Sequence, residues 1–112
     1  MDWRLTLTSL ALALAPGLSG AAGGPEDPRD FIEFGHKYAS DCTRHRAEMR
    51  LVENTHETRA IEVVLWRYLG DTRSQGRSVK QLAPGADPEP LGCTAANGLE
   101  RRWEIERIEF VP

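Results

Sequence analysis

Cys42-x-x-His45 is the one close pairing among the cysteines and histidines of the sequence, and it stands alone. A zinc or similar site needs three or four ligands at short, repeated spacings. The remaining candidates, His36, His56 and Cys93, are scattered. His45 shares strand parity with Ala47, Met49 and Leu51, which places it at a strand end near Cys42 with an ordinary hydrogen bond. His36 and His56 are expected to be exposed, at an element end and in a turn. No metal ligands and no cofactor site are expected.

Catalytic chemistry is equally short of parts. There is no G-x-S-x-G elbow for a serine nucleophile and no C-x-x-C redox pair. No glycine-rich phosphate loop precedes a helix. Carboxylates are plentiful at Glu48, Glu62, Glu104, Glu106 and Glu109, but they alternate with arginines. Cross-strand Glu–Arg pairs on a solvated sheet face explain that pattern. Glycosidase-type acid and nucleophile roles would need a cleft to hold a sugar. No catalytic residue is assigned, and the expectation is a protein that is not an enzyme.

The residue types best suited to recognition are Trp66, Arg67 and Tyr68, with Arg101, Arg102 and Trp103 late in the chain. Tryptophan, tyrosine and arginine dominate binding hot spots. If the segments around 59–69 and 101–111 are neighbouring strands, these six residues pool into one aromatic–arginine patch. The competing expectation is that Trp66 and Trp103 belong to the core.

The elements that must position these residues read as mainly β. In RHRAEMRLVEN, Ala47, Met49 and Leu51 alternate with Arg46, Glu48 and Arg50, the pattern of a half-buried strand. Asn54 to Thr58 is a polar turn, and the runs on either side of it are expected to pair as a β-hairpin. RAIEVVLWRYL then puts Ile61, Val63 and Leu65 on one face and Val64, Trp66 and Tyr68 on the other, which suits a central strand. A loop at 70–76 leads to a short strand at 77–82. In QLAPGADPEPLGC, Pro84-Gly85 signals a type II turn. Pro88 and Pro90 remove backbone donors and confine the segment to a sheet edge or crossover. Leu91 can enter the core, and Gly92 permits close backbone approach. After a loop at 94–99, RRWEIERIEFV sets Trp103 and Ile105 at one parity, Ile108 and Phe110 at the other. A β-bulge near Glu106-Arg107 would return all four to one face; the alternative is a strand buried on both sides. Toward the N-terminus, Asp27, Pro28 and Asp30 suit a helix start, and Phe31, Phe34 and Tyr38 share a helical face. A short helix is expected there, with an irregular arm or edge strand as the alternative.

The fold expected is a small antiparallel β-sandwich or partly open barrel of about five strands, with a short N-terminal helix or arm and one disulfide. An asparagine-ended hairpin, the L-x-P-G turn and the L-G-C that follows resemble turns of small secreted bacterial proteins with β-sandwich-like domains. That resemblance spans roughly residues 44–110; it implies a fold type and no activity.

Composition sets the remaining bounds. At 112 residues, one domain is expected. The net charge is −3 and the pI about 5.6, which argues against nucleic acid as a partner. Residues 1–21 have a secretory signal layout: Arg4, an apolar run from Leu5 to Leu18, then Ser19-Gly20-Ala21. The run is too short to span a bilayer as a helix, although Asp2 leaves a retained anchor as the alternative. No stable membrane span is expected after cleavage. Residues 22–43 would form the leader and helix or arm, and 44–112 the β domain. Export makes a Cys42–Cys93 bond the default for two cysteines. The leading expectation is therefore a periplasmic or secreted protein-binding module: an envelope complex subunit, inhibitor or immunity-type protein. The alternative is a small-ligand or carbohydrate binder using the same aromatic–arginine patch.

Overall fold

A computed structural model describes residues 25–112. The signal-peptide reading of residues 1–21 lies outside the described residues. The chain begins with a single 3-10 turn, Pro28–Phe31, capped by the Asp27 carboxylate, which accepts from the Arg29 backbone N–H at 3.0 Å. The capping chemistry is thus as expected, but it starts one turn and not a helix to Tyr38. From Ile32 the chain is strand β1, Ile32–Lys37. Ile32 and Phe34 both pack on the core, a period of two, and Gly35 weakens any helix through the same residues.

After a one-turn helix α1, Ser40–Thr43, come β2 (Met49–Asn54) and β3 (Ile61–Leu69). Then follow β4 (Thr72–Arg73), β5 (Ser78–Leu82), β6 (Glu89–Cys93), β7 (Ala95–Ala96) and β8 (Leu99–Phe110). The strands form two antiparallel sheets, not a closed barrel. One is ordered β1-β2-β6. In the other, β3 is central: β8 lines one edge and β4 and β5 share the opposite one, with β7 added to β8.

The core lies between the sheets. Val52 of β2 meets Ile61, Val63 and Leu65 of β3, Leu82 of β5 and Ile108 of β8, all buried, with Phe31, Phe34, Leu91, Trp103 and Phe110 around them. Sheet register explains the parity change in β8. Val64 pairs with Arg107 but Leu65 pairs with Ile105, so Glu106 is the extra residue of a bulge. The bulge sets Trp103, Ile105, Ile108 and Phe110 opposite Arg67, Leu65, Val63 and Ile61, on one face of the sheet. Ile105 stays 38% exposed there.

Strand β2 reverses the expected face. Val52 and Asn54 are buried, whereas Met49 and Leu51 are only partly so. Alternation misleads because Asn54, a polar residue, belongs to the inner set. Its Nδ2 donates to the carbonyls of Arg59 (2.8 Å) and Leu82 (3.0 Å), and its Oδ1 accepts from the His56 backbone N–H (2.8 Å). His56, expected exposed, is 8% exposed. Its Nδ1 accepts from the backbone N–H groups of Thr58 and Arg59, and its Nε2 lies 2.8 Å from Glu26 Oε1. The ring stacks edge-on with Phe31 and Phe110. The polar turn therefore holds two buried, hydrogen-bonded side chains, Asn54 and His56, between the exposed Thr55, Glu57 and Thr58. It joins the two sheets: β2 pairs with β1 and β6 and not with β3, so the hairpin expected across it does not form. His36 is exposed and pairs with Glu48, and His45 sits in the turn after α1, bonded through its backbone N–H to the Cys42 carbonyl.

The proline-rich segment occupies an edge, as its missing donors require. Gly85 has φ +69° and the Ala86 N–H reaches the Ala83 carbonyl, the type II arrangement. Pro90 pairs with Leu51 beside an irregularity in the β2–β6 register. Cys93 ends β6 in a disulfide with the buried Cys42. The bond ties this edge strand to α1. A hairpin was not foreseen at 95–100: Asn97 and Gly98 both take positive φ, joining Ala95–Ala96 to Leu99–Glu100.

Candidate functional site

Strands β3 and β8 do pair, so the six candidate recognition residues lie on neighbouring strands. Strand alternation then divides them. Trp66, Tyr68 and Arg102 project from the face away from the core, since Tyr68 pairs directly with Arg102. Arg67, Arg101 and Trp103 belong to the opposite face, where Arg67 pairs with Trp103. The single patch is two half-sites, one on each side of the sheet.

On the outer face, each aromatic ring is covered by an arginine. The Arg73 guanidinium lies 4.0 Å from the centre of the Trp66 ring, and Arg102 lies 4.1 Å from that of Tyr68. A guanidinium over an aromatic face is attracted by the ring quadrupole, by about 0.5–1 kcal/mol at exposed sites. The bulge delivers Glu106 to this face. Its Oε1 accepts from the Trp66 indole N–H at 2.7 Å, and its Oε2 pairs with Arg77 at 2.6 Å. The Arg77 hydrogen bond, reinforced by that of Trp66 and opposed by burial, holds the Glu106 carboxyl below the usual carboxylate range. Arg102 also pairs with Glu104, and Arg107 with Glu62 and Glu109. Of the expected cross-strand Glu–Arg pairs, Arg107–Glu62 joins neighbouring strands, whereas Arg102–Glu104 and Arg107–Glu109 lie within β8 and Arg77 reaches Glu106 from the segment before β5. Val79 of β5 stands on the same face opposite Val64 and is 57% exposed.

Sequence reasoning missed Arg73 and Arg77, because it treated 70–76 as a loop and 77 as a strand end. The Gly70-Asp71 pair was the available signal. It links Leu69 to Thr72 in a tight hairpin that returns Arg73 opposite Tyr68.

The inner half-site borders a cleft of about 360 Å³, lined among others by Phe34, Arg50, Thr94, Arg101 and Trp103. Gly92 sets its geometry. With φ +144°, it leaves room for Trp103, whose Cζ2 would lie 3.4 Å from an added Cβ. Arg101 is half-buried behind this ring. Burial, and secondly the charge of Arg67, lower its pKa from the ordinary guanidinium value. Sequence alone does not single out Phe34 or Arg50, since each reads as a face-defining residue of a separate element.

Among the described residues, no group of three His, Cys, Asp or Glu side chains is placed to hold a metal ion. None of the described helices is long and apolar enough to cross a membrane. No protein-family model matches the chain, and no curated protein or solved structure was found to match it.

Proposed function

We propose that this chain is an exported, non-catalytic protein-binding module whose contact face is the outer face of the five-stranded sheet. The observation that carries the reading is the pair of half-buried rings, Trp66 and Tyr68, each covered by an arginine on the face turned from the core. Such residues give large contact area at low conformational cost and anchor protein interfaces. The rings are already fixed by the Glu106, Arg77 and Glu104 contacts, so little rotamer entropy remains to be lost on association. The exposed Val79 extends the face with an apolar contact at its edge. A disulfide between Cys42 and Cys93 is compatible with a periplasmic or extracellular setting.

The test is capture of a partner at defined stoichiometry by the tagged, oxidised full chain, followed by reconstitution with that partner purified. Trp66→Ala and Tyr68→Ala, each shown to fold, are expected to weaken the reconstituted complex by about tenfold or more, the ordinary cost of truncating a hot-spot ring. Unchanged affinity with both substitutions would refute the assignment of this face.

A further inference from the structure

The cleft on the other side of the sheet holds a cation without a counter-charge. Arg77, Arg102 and Arg107 on the outer face all pair with carboxylates. Arg101 does not, among the described residues. Its Nη1 makes one long bond to the Cys93 carbonyl, 3.4 Å, and its Nε is buried without any acceptor. Arg50 lines the same cleft, its guanidinium 5.2 Å from the centre of the Phe34 ring, and it too lacks a carboxylate partner among the described residues. Glu100 is the one carboxylate on the lining; it is exposed and makes no ion pair among the described residues. A smaller hollow of about 180 Å³ shares Arg101 and adds Arg67 and Arg73, so the neighbouring potential is also positive.

We infer that this cleft is a binding site for a small organic carboxylate with an apolar body, its oxygens on Arg101 and Arg50 and its body between Trp103 and Phe34. Three observations point to that chemistry. A partly desolvated guanidinium short of acceptors gains most from an anion that completes its hydrogen bonds. The planar donor fork of arginine fits a carboxylate in two-point contact. The walls beside it are aromatic, and the volume falls at the small end of ligand sites, where a few convergent polar groups orient a mainly apolar molecule. Trp103 lies alongside Gly92 of β6 and forms one wall. Arg102, which covers Tyr68 on the outer face, also borders this cleft, but Arg101, Arg50, Phe34 and Trp103 take no part in the outer face, so the two readings are tested by different residues.

The test uses the oxidised full chain, isotope-labelled, titrated with phenylacetate, phenylacetamide and inorganic phosphate. Phenylacetate is expected to shift the Trp103 indole resonance saturably, with smaller effect on Trp66. Phenylacetamide, the same body without charge, should bind about tenfold more weakly or worse, as should phosphate, which has charge without the body. Arg101→Gln is expected to lose about tenfold in phenylacetate affinity, while Arg107→Gln on the outer face binds like the parent. If Arg101→Gln does not fold, Arg50→Gln reads the same site and is expected to lose affinity in the same direction. The inference is overturned by the absence of any saturable shift with phenylacetate, or by equal binding of the amide. Tighter binding of phosphate, or phenylacetate affinity unchanged in the folded arginine variants, overturns it too.

Discussion

Asn54 is the buried polar residue on which the corner between β2 and β3 depends, and replacing it should separate hydrogen bonding from packing. The residue is 2% exposed and uses both of its amide groups. Asn54→Ala leaves the Leu82 and Arg59 carbonyls and the His56 N–H without their partner. A buried polar group stripped of its partner costs about 1–3 kcal/mol, and partial relaxation with water at the more open Arg59 side brings the sum to roughly 3 kcal/mol. At about 4–8 °C per kcal/mol for a domain of this size, the melting temperature should fall by roughly 12–24 °C. Asn54→Asp has nearly the same shape and keeps the acceptor for His56. It replaces the donor with an oxygen facing two carbonyl oxygens at 2.8 and 3.0 Å. At neutral pH this variant should be destabilised at least as much as the alanine variant. It should recover partly in acid, where the protonated carboxyl can donate once. Urea unfolding followed by tryptophan fluorescence, at neutral and acidic pH, measures the free energies, and thermal melts measure the temperature shift. An Asn54→Asp protein within about 0.5 kcal/mol of the parent at neutral pH, the range of an ordinary surface change, would refute the reasoning.

Other consequences are as direct. Replacing Cys42 and Cys93 together by serine should cost about 4 kcal/mol for a closed loop of this length, read as a lower urea midpoint than that of the oxidised parent. Gly92→Ala forces a side chain into φ +144° and against Trp103, so a loss of about 1–3 kcal/mol is expected, with a changed Trp103 fluorescence environment. The depressed Glu106 carboxyl makes a stabilising contribution that is complete above its unfolded-state pKa and disappears as pH falls through the lower folded value. The melting temperature of the parent should therefore exceed that of Glu106→Gln at neutral pH and converge on it in strongly acidic buffer. A gap that stays constant with pH would contradict the Arg77 and Trp66 contacts.

Much of this architecture was legible because a few local signals each had one physical meaning. The mismatch of Trp103 and Ile105 with Ile108 and Phe110 could be reconciled by one extra residue, and the register places that residue at Glu106. Pro88 and Pro90 ruled out a central strand, and β6 lies at a sheet edge. What failed did so where a polar residue is buried or where strand and helix periods compete. Val52 and Asn54 form the inner face of β2, but an asparagine is scored as outward by alternation, so the face was reversed. His56 was read as exposed because nothing local announces the partners that reach it from Glu26, Phe31 and Phe110. At Phe31, Phe34 and Tyr38 a helical spacing was present by coincidence, and packing of Ile32 and Phe34 on the core decided for a strand. The site was legible in its residues and not in its sides. Pairing of β3 with β8 brings all six together, yet alternation alone sends Trp66, Tyr68 and Arg102 to one face and Arg67, Arg101 and Trp103 to the other. Of the residues that complete each half, Arg73 follows from the Gly70-Asp71 turn beside Trp66 and Tyr68, whereas Arg77 outside and Arg50 and Phe34 inside come from segments whose placement the local sequence does not announce.

The most direct test of the proposed function is site-specific photocrosslinking in the cells that produce the protein. A photoreactive phenylalanine analogue placed at Val79 reports on the outer face, and one at the exposed Tyr38, beyond β1 of the other sheet, serves as the control. The account predicts a discrete protein adduct from position 79, absent at 38 and abolished by Trp66→Ala in the same chain. An adduct from position 38 with none from 79 would contradict it.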